Sequence, residues 1–452
     1  MRCAAALPCS PGIWVTEDMV SGARYPDLSI VIPAYRMGRA LDMTLRALAN
    51  TGTGAGTFEV IVVDDGSEES LRPVVDAYQQ LPASYIRLAR NSGRAAARNI
   101  GASQARGKRL LFLDGDSIPL KGLVHGHVTY GVDDHEGRVL LGSRINPGWG
   151  RLADAVACGE AEGAVAAHED DFRHLGGGEA AAVDFMRHRA PWLYCYTLNL
   201  SVPRDTFTEL NGFDEAFTGW GFEDTEFGYR FFESRGRSGG FDYRPDITCM
   251  HLPHFRNPRA TGSESRQSIR HMKRKHPHFD IELVGTDVNP RVESKIRYYE
   301  DMLAGASQAG LGLSATDVMR LLPDIGGQKV LWIGAGLGLE EGTWQLDHAR
   351  PAGRHNLHLL GVDTPFRDQE FDVIINVDLW RFLTPQDLSY AIIEGLRAGQ
   401  RLLLVASSRV RYSGPGLGIA DLDYFTEAYG SPHHIQTVSA GLDGKVLHIT
   451  GQ

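Results

Sequence analysis

Two carboxylates one residue apart, Asp114 and Asp116, close the apolar run Leu111-Phe-Leu113. The run reads as a buried parallel strand. Its carboxyl end is where ligands bind in open α/β sheets. Along an extended chain, alternation would put both side chains on one side. Carboxylates that close repel unless a cation lies between them, and a hard divalent metal bridging to a diphosphate would serve. Asp-Gly is also a turn signal. This segment alone does not separate the two readings.

The elements around it favour a site. Leu28 to Tyr35, Phe58 to Ser67 and Tyr85 to Ala89 read as three further strand segments. Helical stretches from Arg39 to Asn50, Glu68 to Gln80 and Arg94 to Gln104 fall between them. Strands alternating with helices imply βαβ units and a parallel sheet. Asp64 and Asp65 also end a strand, so two acidic strand tips are expected to face one crevice. Arg94 and Arg98 sit at a helix start, and both a helix N-terminus and a guanidinium suit phosphate.

From Leu28 to about Arg256 the chain resembles a family 2 glycosyltransferase of GT-A fold. The matching residues are Ile32-Pro-Ala-Tyr35, Val63-Asp-Asp-Gly-Ser67, Gly93-Arg-Ala-Ala-Ala-Arg-Asn99 and Asp114-Gly-Asp116, in the family's order. Each is weak alone, and the four in order are specific. The resemblance implies a nucleotide-sugar donor, usually a UDP-sugar. It places Pro33, Ala34, Tyr35, Asp65 and Gly93 against the nucleotide, with Arg98 nearby. Asp114, Gly115 and Asp116 would meet the ribose, diphosphate and metal.

A second set of motifs follows. Gly219-Trp-Gly-Phe-Glu-Asp-Thr-Glu226 resembles the Trp-Gly-x-Glu-Asp segment of β-1,4-galactosyltransferases and chondroitin-polymerase-type enzymes. Direct displacement at an anomeric carbon needs a base for the acceptor hydroxyl proton. By the resemblance Asp224 is that base and Glu223 assists acceptor binding. Trp220, followed by Gly221, forms the acceptor platform. An acidic helix start favoured by the helix dipole is equally consistent with Glu223 and Asp224 and excludes nothing. Where that group has a Met-x-x-His pair for Mn²⁺, this chain has His251 and His254. The implied metal, Mn²⁺ or Mg²⁺, is assigned to Asp116 and His254, with His251 and Asp114 as helpers; imidazole is a harder ligand than a thioether. His271, His276 and His278 lie in a basic stretch that reads as a solvated helix end.

Composition bounds the rest. The 452 residues suggest two or three domains, and 42% hydrophobic content is ample for their cores. Net charge is −10, which speaks against nucleic acid or anionic membrane as partner. The five cysteines, Cys3, Cys9, Cys158, Cys195 and Cys249, show no metal or disulfide spacing and fit a reducing cytoplasm. Met1 to Cys9 is short and Pro-broken for a signal peptide, and no apolar run approaches a membrane span. Leu175-Gly-Gly-Gly-Glu179 reads as a mobile loop, shaping the acceptor site or idle.

Beyond Lys329 a strand and a Gly-rich turn, Val330-Leu-Trp-Ile-Gly-Ala-Gly-Leu-Gly338, resemble the opening of an S-adenosylmethionine-dependent methyltransferase. The acidic residue expected about twenty positions later is missing from Arg354 to His358. The interval from Gly338 to Phe371 is short for the usual second βαβ unit. S-adenosylmethionine is therefore not an expected ligand. The expected organisation is an N-terminal extension (1–27), a GT-A domain (28–285), a helical linker (286–325) and a degenerate methyltransferase-like Rossmann domain (326–452). The expected activity is metal-dependent, inverting transfer of a hexose or N-acetylhexosamine from a UDP-sugar. The acceptor hydroxyl would belong to a glycan, peptide or small metabolite. A bifunctional glycosyltransferase/methyltransferase and a catalytically silent GT-A scaffold are the alternatives.

Overall fold

The computed structural model describes residues 25–51, 56–134, 136–146, 188–253, 257–309, 313–408, 422–429, 433–441 and 444–451. The Gly-rich stretch 175–179, His254 and the cysteines Cys3, Cys9 and Cys158 lie outside them. The chain divides into two units, Met1–Ser268 and Ile269–Gln452. The expected boundaries at 285 and 325 do not coincide with this division. Among the described residues no helix is long and apolar enough to cross a membrane.

The first unit is built on strands β1 (Leu28–Ala34), β2 (Phe58–Asp64), β3 (Ala83–Arg87), β4 (Arg109–Leu113), β5 (Ser117–Pro119), β6 (Val139–Ile145), β7 (Asn199–Pro203) and β8 (Phe241–His251). They form one sheet in the order β3-β2-β1-β4-β7-β6-β8-β5. The first four strands are mutually parallel, whereas β7 runs antiparallel to β4 and β6. Every residue of β1 and β4 is buried, as apolar runs covered on both faces must be. Strand order reverses between β1 and β4, and their carboxyl ends frame the crevice such a switch creates.

The helices here include α1 (Gly38–Ala49), α2 (Arg72–Asp76), α3 (Arg94–Gln104), α4 (Leu123–Asp133), α5 (Arg204–Glu209) and α6 (Glu223–Ser234). In α1, Leu41, Thr44, Leu45 and Leu48 make one buried face at helical spacing. Helix α3 approaches the sheet closely, because a Cβ at Gly101 would stand 2.4 Å from Val31 Cγ1. The helix expected over Glu68–Gln80 contracts to α2. Asp64 explains this: its carboxylate accepts the Ser67 amide at 2.9 Å, the Leu71 amide at 3.3 Å and the Tyr85 hydroxyl at 2.6 Å. Those amides are held in a loop around a buried acceptor instead of starting a helix. Asp64 is fully buried. Of the two aspartates that end β2, only Asp65 therefore reaches the crevice.

The second unit carries strands β9 (Val330–Gly334), β10 (Gln345–Asp347), β11 (Phe371–Val377), β12 (Gly399–Ser407), β13 (His433–Gly441) and β14 (Gly444–Gly451). Their order is β10-β9-β11-β12-β14-β13, with the first four parallel and β14 antiparallel to both β12 and β13. No helix separates β10 from β11. The expected linker, 286–325, forms the helices Asn289–Ala309 and Ala315–Leu321. The first of these is tied into the unit: Lys295 Nζ and the Tyr299 hydroxyl both bond Asp387, at 2.8 and 2.7 Å. An acidic residue, Asp347, does end β10, well before 354–358 where one was expected. It was hidden because β10 is only three residues long and its crossover lacks a helix.

Candidate active site

A cavity of about 960 Å³ opens at the strand switch of the first unit. The carboxyl ends of β1 and β4 bring Pro33, Ala34, Tyr35, Asp114, Gly115 and Asp116 to its wall. The start of α3 adds Gly93 and Arg94, β2 adds Asp65, and β8 adds His251. Thr218, Gly219 and Trp220 close another side. The short motifs, scattered over more than two hundred residues, thus meet at one place.

Local geometry explains each position. The Asp65 carboxylate accepts the amides of Ser92 at 2.7 Å and Gly93 at 3.0 Å, which fixes the loop leading into α3. Burial raises the Asp65 pKa, against those two hydrogen bonds. Gly93 has φ +92°, a left-handed entry to the helix that glycine accepts without strain. Gly115 has no room for a Cβ, which would stand 2.6 Å from Met37 Sδ and 3.2 Å from the Pro33 carbonyl oxygen.

Asp114 and Asp116 do not share one side of an extended chain. The Ser117 amide donates to the Asp114 carbonyl at 2.9 Å, so the motif is a turn. Strand alternation stops where the strand stops. Asp114 Oδ1 receives Arg98 Nη2 at 2.8 Å. Burial acts to raise the Asp114 pKa, but Arg98, with Arg94 and His251, overcomes it and lowers it. The cation offsetting this carboxylate is therefore a guanidinium. Asp116 goes elsewhere. Strands β5 and β8 pair antiparallel with Ser117 opposite His251, and the Leu252 amide donates to the Asp116 carbonyl at 2.9 Å. This register leaves Asp116 Oδ1 3.8 Å from His251 Nε2.

Arg98 was expected near the nucleotide. It is 1% exposed and is not among the residues lining the cavity. Its other arm, Nη1, donates to Glu223 Oε1 at 2.8 Å. Glu223 and Asp224 open α6, whose first turn also carries Glu226. Gly221 and Phe222 before them have φ +79° and +72°. For Phe222 this is a strained conformation, of the kind that persists at functional sites when surroundings impose it. Of this segment Trp220 lines the cavity, whereas Gly221, Glu223 and Asp224 do not. Asp224 is half-buried and accepts the amides of Thr225 at 2.8 Å and Thr197 at 3.4 Å. Burial first, then the neighbouring Glu223, pushes its pKa up to about 7, against Arg98. Such a carboxylate can exchange a proton near neutrality.

Among the described residues no group of three or more His, Cys, Asp or Glu is arranged for a metal. The cavity also holds residues that motif reading passed over: Arg36, Met37, Arg39 and Met43 after β1, and Glu264 from a distant helix. The first four follow a strand's carboxyl end closely enough to have been suspected. Nothing local marked Glu264.

Two family models match segments of the chain that contribute to this cavity. The model for "Glycosyl transferase family 2" matches residues 29–155, and that for "N-terminal domain of galactosyltransferase" matches 179–254. Validoxylamine A glucosyltransferase of Streptomyces hygroscopicus is 32% identical over 383 residues, covering 77% of this chain and 90% of that protein. The chain belongs to the family 2 glycosyltransferases. A chondroitin synthase of Pasteurella multocida is 29% identical to this glycosyltransferase over 239 residues, which is 48% of the chain but 25% of that enzyme. Among solved structures, Staphylococcus aureus TarS 1–349 with UDP-GlcNAc aligns at TM-score 0.43 and 18% identity, over 60% of this chain and 70% of that one. For the longer TarS structure the covered share is 42%.

Proposed function

We propose that this glycosyltransferase moves a sugar from a UDP-sugar to an acceptor hydroxyl by direct displacement, inverting the anomeric carbon, with Asp224 as base. The observation that carries this reading is one cavity with two chemically distinct walls. One wall, from Pro33 to Asp116 with Arg94, has the donors and charges a nucleotide diphosphate requires. The other ends in Trp220, whose indole suits a sugar face, close in sequence to a carboxylate with a pKa near 7. Asp224 takes the acceptor proton as its oxygen attacks, and Arg94 faces the diphosphate that departs.

Asp116, just before β5, and His251, ending β8, offer an oxygen and a nitrogen of the kind Mn²⁺ and Mg²⁺ take, 3.8 Å apart. We assign them as holders of a divalent cation, with His254 retained from its sequence position. When bound, the cation would offset charge gathering on the diphosphate. Asp114, held by Arg98, is left out of this set.

The sugar is a hexose or N-acetylhexosamine. A screen of UDP-, GDP- and dTDP-sugars for metal-dependent hydrolysis tests the donor and needs no acceptor. UDP-sugar turnover is expected; turnover of GDP- or dTDP-sugars alone would overturn the donor assignment. In the second unit Asp347, fully buried, accepts the amides of Gly336 at 2.9 Å, Leu337 at 3.1 Å and Ala349 at 2.9 Å. Asp347 thereby takes the Gly336 and Leu337 amides of the Gly-rich turn, which supports the reading that this unit does not methylate.

A further inference from the structure

Asp114 ends β4 on the donor wall, and Glu223 begins α6 beside the base. They are far apart in sequence and belong to separate motifs. One side chain touches both: Arg98, at 2.8 Å from each. It lies one helical turn after Arg94, so α3 presents one guanidinium to the cavity and the next to its foundation. The planar fork is required for this, since a guanidinium can bond two carboxylates at once whereas an ammonium is a point charge on a flexible stem. Glu223 has no other visible anchor for its carboxylate: Oε2 is buried and has no hydrogen-bond partner among the described residues. Its orientation therefore rests on Arg98.

We propose that Arg98 is a positioning residue that couples the donor wall to the acceptor machinery, holding Asp114 and Glu223 in one ionic chain and so fixing the place of Asp224. The proposal rests on the reading of Asp224 as base. Charge supports it from another side. Three carboxylates, Asp114, Glu223 and Asp224, act on this one buried cation, and Arg98 opposes the rise in Asp224 pKa that burial and Glu223 cause. If Glu223 lost its charge, Arg98 would turn wholly to Asp114 and reduce the negative potential met by a diphosphate.

The test uses the full chain, with hydrolysis of UDP-glucose in Mn²⁺ and calorimetric titration of UDP as readouts. Arg98→Lys should lower kcat by about 10²-fold, the scale of a misplaced catalytic group, with a smaller change in KM. Asp114→Asn and Glu223→Gln should be non-additive in the native background and additive in Arg98→Lys. In calorimetry, Glu223→Gln should tighten UDP in the native background and leave it unchanged in Arg98→Lys. A loss of thermal stability alone, with additive effects in both backgrounds, overturns the proposal. If the wild-type chain leaves UDP-glucose intact, the UDP titration decides in the same way. Asp224→Asn runs alongside: full hydrolysis by that variant removes the base assignment, whereas the coupling is judged by the cycles.

Discussion

The two units each end parallel strands in a polar turn, and each spends one buried aspartate on backbone amides, Asp64 in the first and Asp347 in the second, but the first also has Asp114 and Asp116. In the first, Asp114 and Asp116 leave a turn in different directions, one to a buried arginine and one to His251, and both line the cavity. In the second, Asp347 lies wholly buried and takes three backbone amides. Both arrangements satisfy buried polar groups. The first leaves charged side chains lining a cavity, whereas Asp347 is fully buried. A strand switch is thus a place where a site can be built, and the direction each side chain takes decides whether one is.

The comparison can be broken most severely at Asp224. Asp224→Asn should cut transfer by about 10²–10⁴-fold while UDP affinity stays unchanged. The native pH profile belongs to the same test. A base must be ionised, and burial holds Asp224 near 7. Activity should therefore be full above that pH and fall roughly tenfold per unit below it. An acidic limb near pH 4, or near-normal transfer by the variant, would sink the assignment.

His251 is the next point of attack. Its removal in His251→Ala should lower activity at limiting Mn²⁺ by at least the roughly 10–100-fold seen when metal shells are disturbed. Raising Mn²⁺ should restore part of it. Full activity after exhaustive chelation would reject the cation altogether.

The second unit should show the smallest effect on catalysis. Asp347→Asn should cost about 1–3 kcal/mol of stability through unpaired buried amides, read by denaturant unfolding, and leave sugar transfer unchanged. Calorimetry of the native chain with S-adenosylmethionine should show no binding at micromolar concentration. Saturable binding would erase the contrast between the units.

Much of the site was legible because its residues sit at places local rules mark. Pro33, Ala34 and Tyr35 end an apolar strand, Gly93 opens a helix, and Asp114 to Asp116 follow a buried run. What local rules could not supply were directions. Alternation holds along β4 but not through the turn after it, so Asp114 and Asp116 part. Arg98 looked like a phosphate ligand because it lies near a helix start. One helical turn further in, it faces the protein interior. The helix expected from Glu68 gave way to a loop because Asp64, folded under it, takes amides a helix would have used. In the second unit, spacing borrowed from a longer crossover pointed past Asp347.

The order of apolar runs, turn residues and motifs was enough by itself for the α/β class, the parallel part of the sheet, the family and a large share of the cavity wall. These depend on periodicity and on which residue types can occupy a strand end. Tertiary structure alone decided which carboxylate meets a cation, which is spent on backbone amides and which keeps a pKa near 7. Those outcomes depend on burial and on partners brought from distant segments: Glu223 to Arg98, and His251 to Asp116. Electrostatic effects vary with distance and solvent exclusion, and neither is a property of sequence order.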